Sequence, residues 1–271
     1  MDGLLRSRKL ARMRVLVVLP TYNESANIET VLRLTRQSLP DGGVLVVDDG
    51  SPDGTADIAE RVGKEIGGID VLRRTAKAGL GSAYRDGFRW GLEHHWDVLV
   101  EMDSDLSHDP AALPQVVGPL EDGFDLVVGS RYIPGGSIPN WQRSRFLLSR
   151  GGNAYAAIVL GLPVTDSTSG FRAYRAEMIR RLDLDRIKAD GYGFQIEMCY
   201  QVITHGGRVT EVPIRFVDRV EGESKMSTHI VVEAFALVTW WGLQRLVAGL
   251  TGRGRGRGGR RRSVEARSDT R

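Results

Sequence analysis

The chain has 271 residues, 41% of them hydrophobic and 26% charged, enough for a sizeable core in one α/β domain. Its formal charge of +3 is unevenly placed: residues 252–271 hold eight Arg and two acids, and the first fourteen residues hold five basic groups and one acid. Residues 15–251 are therefore net acidic, and the lone Cys199 excludes an intramolecular disulfide framework or a multi-cysteine metal site.

Val15–Leu19 is an unbroken apolar run, the pattern of a strand buried on both faces of a parallel sheet. Ser25 or Asn27 can cap a helix reaching Ser38, which Pro40 and Gly42-Gly43 end. Val44–Val47 repeats the strand pattern, with a helix predicted over 55–66, a third strand at 69–72 and a helix over 81–94. Val98–Met102 is a fourth strand, Asp109-Pro110 opens a helix to Leu120, and 124–129 is a fifth strand. Strands alternating with helices predict an open, mostly parallel α/β sheet, whose ligands bind outside the carboxyl ends of the strands.

Beyond Ser130 the alternation loosens. Residues 135–140 read as a Gly/Pro loop, 142–160 as a helix, 166–172 as a polar turn, 194–204 as a helix and 208–216 as one or two final strands. Cys199 reads as a packing residue. Residues 229–250 are apolar but contain Glu233, Gln244 and Arg245. Only ten residues separate Glu233 from Gln244, about half of what a spanning helix needs. An amphipathic helix lying in a membrane interface fits better, and a helix packed on the body or in a dimer contact is the alternative. The expected organisation is a basic segment over 1–13, the α/β domain over 14–228, this helix over 229–251 and a disordered Arg/Gly-rich tail over 252–271.

The acidic motifs lie just past strand ends. Asp103-Ser104-Asp105 follows the fourth strand, and two carboxylates one residue apart suit a hard cation such as Mg2+ or Mn2+ shared with substrate phosphates. Pro20, Tyr22 and Glu24 follow the first strand, and Asp48 and Asp49 the second. Carboxylates there can accept hydrogen bonds from ribose or a base, and Tyr22 can stack on a base. Asp49-Gly50 and Pro52-Asp53-Gly54 are equally turn signals, and Asp53-Gly54-Thr55 can simply start a helix. No Walker sequence and no G-x-G-x-x-G after a strand is present, which argues against P-loop NTPases and dinucleotide dehydrogenases. His108 beside Asp109-Pro110 reads as the start of a helix rather than a ligand. Glu197 reads evenly as a site or a core carboxylate, Asp166 and Arg172 can pair to hold a loop, and Trp90 and Trp96 read as packing.

Together, Leu19–Glu24, Val47–Thr55 and Met102–Pro110 resemble the nucleotide-sugar domain of inverting, GT-A-type (Rossmann-like) glycosyltransferases. Gly129–Tyr132, Asp166–Arg172, Gly191–Met198 and Phe216–Lys225 narrow the resemblance to the polyprenol (dolichol) phosphate mannose synthases, over about residues 14–228. That resemblance implies transfer of mannose from GDP-mannose to a polyprenyl monophosphate. It places Pro20, Tyr22, Glu24, Val47 and Asp49 around the guanosine. Asp103, the Ser104 backbone and Asp105 then meet metal and diphosphate, and Arg131, Arg219 and Lys225 meet phosphate. Ser104 is often Ala in the family. The third polar ligand of the family's metal site falls on Ser107, a poor direct ligand for which water can substitute.

The chemistry agrees with that expectation. A lipid phosphate is already anionic near neutral pH, so the site needs cations more than a general base. The Arg-Gly tail resembles RNA-binding tails but interleaves no aromatic residues, so an anionic membrane surface is the expected partner and nucleic acid is not. The N-terminus shows no signal-peptide pattern, which points to the cytoplasmic face, with a separate membrane-anchoring protein as a further candidate partner. The alternatives are a glucose synthase using UDP-glucose and an inactive nucleotide-sugar-binding module.

Overall fold

The structure, a computed structural model, describes residues 13–217 and 228–250. Among these, β1 (Val15–Thr21), β2 (Gly43–Asp48), β3 (Ile69–Arg73), β4 (Val98–Glu101), β5 (Leu126–Ser130), β6 (Arg172–Arg175) and β7 (Val209–Pro213) form one sheet. Its order is β3-β2-β1-β4-β6-β5-β7. Strand β6 is antiparallel to both neighbours, and the other pairings are parallel. The predicted open, mostly parallel sheet is thus present, with one reversed strand inside it.

Side chains alternate across a strand, so the unbroken apolar runs feed two cores. Leu16, Val18, Leu45 and Val47 face α3 (Leu80–Glu93) and α7 (Gly191–Thr204). Val15, Val17 and Leu19 face α1 (Ile28–Ser38), α2 (Thr55–Ile66) and α4 (Leu113–Val117). Each fully buried aliphatic side chain contributes about 1.5–3 kcal/mol. Gly87 and Gly91, one turn apart on α3, let that helix lie directly on the sheet: a Cβ would stand 2.4 Å from Val18 or from Leu99.

Several local expectations change. Asn27 takes the N-cap position of α1 without capping it by its side chain; instead it donates to Glu24. The helix expected from Asp109 to Leu120 is three short turns, 3₁₀ at Pro110–Ala112, α4, then 3₁₀ at Gly118–Asp122. Pro114 and Pro119 lack the amide needed to continue one helix. The polar turn expected over 166–172 ends in β6, whose last residue leads into the short α6 (Ala176–Arg181). Near the end of the described residues, α8 (Thr228–Leu250) packs against α5 (Arg143–Leu160) and α7. No described helix is long and apolar enough to cross a membrane.

Candidate active site

Chain order reverses around β1: β2 lies on one side of it and β4 on the other. The crevice beyond the carboxyl ends of such strands is where open α/β sheets bind ligands. Leaving β4, the chain forms a tight acidic turn there. Ser104 Oγ donates to the carbonyl of Pro20 at 2.9 Å, fastening the turn to the end of β1. Asp105, 6% exposed, accepts the Ser107 amide at 3.0 Å. Between them Leu106 adopts φ 63°, a left-handed backbone that a bulky residue rarely takes and that concentrates at functional sites.

The Asp103 carboxylate is more open than Asp105, its side chain 30% exposed. Its amide donates to His108 Nδ1 at 3.2 Å. Burial pushes His108 down to about 4, with the nearby Asp105 pulling the other way, so the ring is a neutral acceptor at working pH. His108 is therefore a buried brace of the turn, packed between Phe171 and Phe216, while Asp109 caps the following 3₁₀ turn.

Residues present fit a hard cation. Asp103 and Asp105 supply oxygens, and the buried Ser107 Oγ has no hydrogen-bond partner, an orphan that an ion's water shell would satisfy. Among the described residues no three of His, Cys, Asp and Glu converge to hold a metal, so an ion here would take at most these two carboxylates from the protein, a small donor set of the kind Mg2+ or Mn2+ accepts when phosphate completes it.

On the other flank, Asp48 is committed to structure. It accepts from Thr21 Oγ1, Ser51 Oγ and the Ser51 amide. Asp49 accepts Arg74 Nη1 at 2.7 Å and the Ala78 amide at 3.3 Å, and Arg74 also reaches Ser82 and Asp86. Lys77 Nζ lies 4.5 Å from the Tyr22 ring centroid, a cation–π contact. Glu24 is tied to the start of α2 through its amide and Thr55 Oγ1. Pro20, Tyr22, Glu24 and Asp49 therefore meet at one end of the crevice. The Val47 side chain points instead into the core, fully buried near Gly87, which leaves only its backbone for a ligand.

Arg131 differs from the open cation expected of it. It is 6% exposed, and its Nε and Nη2 grip Asp166 at 2.7 and 2.6 Å, with Nη2 also on Thr168. Burial opposes its charge, but the Asp166 carboxylate beside it raises its pKa above the usual value. Burial likewise opposes the Asp166 charge, and Arg131 lowers that pKa overall. Asp166 thus pairs with Arg131, not with Arg172 as expected; Arg172 holds backbone carbonyls instead. Glu197 accepts the Ala189 amide and acts as a satisfied, mostly buried carboxylate. Arg219 and Lys225 lie outside the described residues, as do the segments 1–12 and 251–271.

Beyond Thr168 opens a cleft of about 570 Å³, including its mouth. Arg145, Leu148, Tyr155, Tyr192, Ile196 and Phe235 line it, from α5, α7 and α8. Its surface is mainly apolar, and Arg145 stacks on Trp141 at 4.0 Å. Arg74, Lys77 and Arg145 went unnoticed in the sequence. No local pattern marks them, because each is brought to the site by packing between distant segments.

A two-carboxylate turn at the switch point of this sheet defines the GT-A class of glycosyltransferases. The chain belongs to glycosyl transferase family 2, which residues 16–183 match. It is 51% identical over 241 residues to an undecaprenyl-phosphate mannosyltransferase of Micrococcus luteus, covering 89% of this chain and 99% of that one. It is 44% identical to a polyprenol monophosphomannose synthase of Mycolicibacterium smegmatis, covering 85% and 88%. Among solved structures, glucosyl-3-phosphoglycerate synthase of Mycobacterium tuberculosis superposes with TM-score 0.65 at 25% identity, covering 88% and 82%. Its complex with Mn2+, UDP-glucose and glycerol 3-phosphate gives 0.62 at 25%, covering 93% and 84%.

Proposed function

We propose that the chain transfers mannose from GDP-mannose to a polyprenyl monophosphate with inversion, releasing GDP, at the cytoplasmic face of a membrane. The observation that carries this reading is the shared wall between the acidic turn's surroundings and the apolar cleft. Thr168 holds Arg131 and also lines the cleft, so an amphiphile seated there presents its head to the site. An open cleft with so apolar a lining suits a lipid chain. The names of the two relatives point to the same acceptor class.

In this reading Tyr22 stacks on the guanine, while Pro20, Glu24, Asp49 and the Val47 backbone enclose the guanosine. Asp103 and Asp105, with the Ser104 backbone, hold Mg2+ or Mn2+ against the diphosphate. When bound, that ion offsets the charge that develops on the departing GDP. The lipid phosphate oxygen forms the new bond to the anomeric carbon as the bond to GDP breaks, in one displacement. That oxygen is anionic already, so no strong base is required. Arg219 and Lys225 are assigned to the phosphates together with Arg145. Arg131 contributes through whatever part of its fork Asp166 leaves available.

Membrane attachment is assigned to α8, to the Arg-rich segment after it and to a partner membrane protein. The glucose alternative keeps one argument, the UDP-glucose complex of the solved relative.

Gly152 tests the cleft. A Cβ there would meet nothing closer than Phe235 at 3.9 Å, so Gly152→Leu fits into the cleft with little strain on the fold. The expected result is a KM for polyprenyl phosphate raised about tenfold or more with the GDP-mannose KM unchanged. An unchanged acceptor KM in the folded variant removes the cleft from the reading.

A further inference from the structure

The middle of the sheet contains two buried ionisable side chains that the reaction as described does not use. Glu101 on β4 and Arg172 on β6 stand directly opposite in the ladder, and both are completely buried. Opposed residues share one face, here the face covered by α3 and α7.

A buried pair of this kind is weak evidence for stability, since apolar residues of similar volume often serve as well. What Arg172 touches is more informative. Its three donor nitrogens reach three carbonyls: Nε to Ser169 at 2.7 Å, Nη1 to Gln195 at 2.6 Å and Nη2 to Ser167 at 2.6 Å.

Two of those carbonyls belong to the loop that borders the reaction site. Thr168, between them, holds Arg131 and lines the cleft. Gly170, at its end, lies against the acidic turn: a Cβ there would be 3.6 Å from Asp103 Oδ1. The loop thus connects the acceptor cleft to the carboxylate turn, and one guanidinium fork fastens it to α7 from below.

We propose that Arg172 is a positioning residue for sugar transfer, clamping the 167–170 loop at a fixed height over the Asp103–Asp105 turn through its three carbonyl contacts. A lysine cannot replace it, being a point charge without the planar fork. The effect belongs to turnover, because misplacing reacting groups by about 1 Å costs on the order of 100-fold.

The inference rests on the transferase reading, so wild-type turnover is measured alongside. Two variants of the full chain separate clamp from scaffold. Arg172→Lys keeps the charge opposite Glu101 and loses the fork. The double variant E101L/R172M removes both buried ionisable groups, leaving no lone charge in the core, and removes all three clamps. Thermal melting, GDP titration in Mn2+ and steady-state transfer are measured on each.

Both variants are expected to melt cooperatively and bind GDP within about threefold of wild type, while kcat falls about 100-fold. Turnover within about threefold of wild type in either folded variant overturns the clamp, as does a loss that merely follows weakened GDP binding. A wild-type chain that transfers nothing overturns the transferase reading itself.

Discussion

Asp103 and Asp105 divide the work of the acidic turn. Asp105 is nearly buried and accepts the Ser107 amide, so it shapes the loop besides its proposed part in holding metal. Asp103 is the more open. Asp103→Ala should therefore leave the melting temperature close to wild type, abolish the tightening of GDP binding by Mn2+ and cut turnover by about 100-fold or more. Asp105→Ala should do the same and also lose about 1 kcal/mol of stability, since the Ser107 amide loses its acceptor. GDP titrations with and without Mn2+, beside melting curves, check both. Persistent Mn2+-dependent tightening in Asp103→Ala would contradict the assignment.

Other residues were less legible. The D-x-D carboxylates are a weak signal alone, since two acids in a turn are usually just solvated, and they gain weight from the acidic motifs that end the first and second strands. Arg131 gave no sign of its setting. Its burial and its pairing with Asp166, 35 positions away, are facts of packing, and its sequence neighbourhood resembles that of an exposed cation.

Among the elements, β1, β2, β4 and β5 were readable because each is buried on almost every residue and so is nearly all apolar, while the half-exposed edge strand β3 was legible from Ile69, Val71 and Leu72 alone. Strand β6, Arg-Ala-Tyr-Arg, escaped for the opposite reason. It carries the buried polar cluster of Arg172 and Tyr174 inside the sheet, and a polar tetrapeptide reads as a turn. The long helices α5 and α8 were located almost to the residue, but α8 is less simply amphipathic than expected. Val238 is buried and Trp241 packs on the core, while Trp240, Leu243, Leu246 and Val247 are exposed alongside Gln244 and Arg245. On α5, Leu147 and Ile158 are also exposed.

An apolar outward side next to an Arg-rich segment suits an anionic lipid surface, to which each basic group adds about 1 kcal/mol. Leu243→Glu with Leu246→Glu should lower co-sedimentation with phosphatidylglycerol vesicles by about tenfold or more while leaving GDP binding intact. Unchanged partitioning in the folded double variant would remove α8 from the membrane assignment.

At the scale of the whole molecule, the sheet's switch point sets the crevice assigned to the donor, and the helical face formed by α5, α7 and α8 sets the apolar cleft. The 167–170 loop joins them. The net charge follows the same division, an acidic body with basic ends. The α/β class and the strand-end placement of the acidic motifs were legible because they rest on local runs and short motifs. The cleft was not, since it is assembled from three helices distant in sequence, none of which shows a lipid-binding pattern alone.

The measurement that tests the central claim most directly is transfer of radiolabelled sugar to polyprenyl phosphate in detergent with Mg2+, from GDP-mannose and from UDP-glucose in parallel. The account predicts butanol-extractable label from GDP-mannose alone. Label from UDP-glucose alone would contradict the sugar while keeping the site. No label from either donor, with Mn2+ also tried and the lipid intact, would contradict the assigned acceptor and favour a module that binds nucleotide sugars without turning them over.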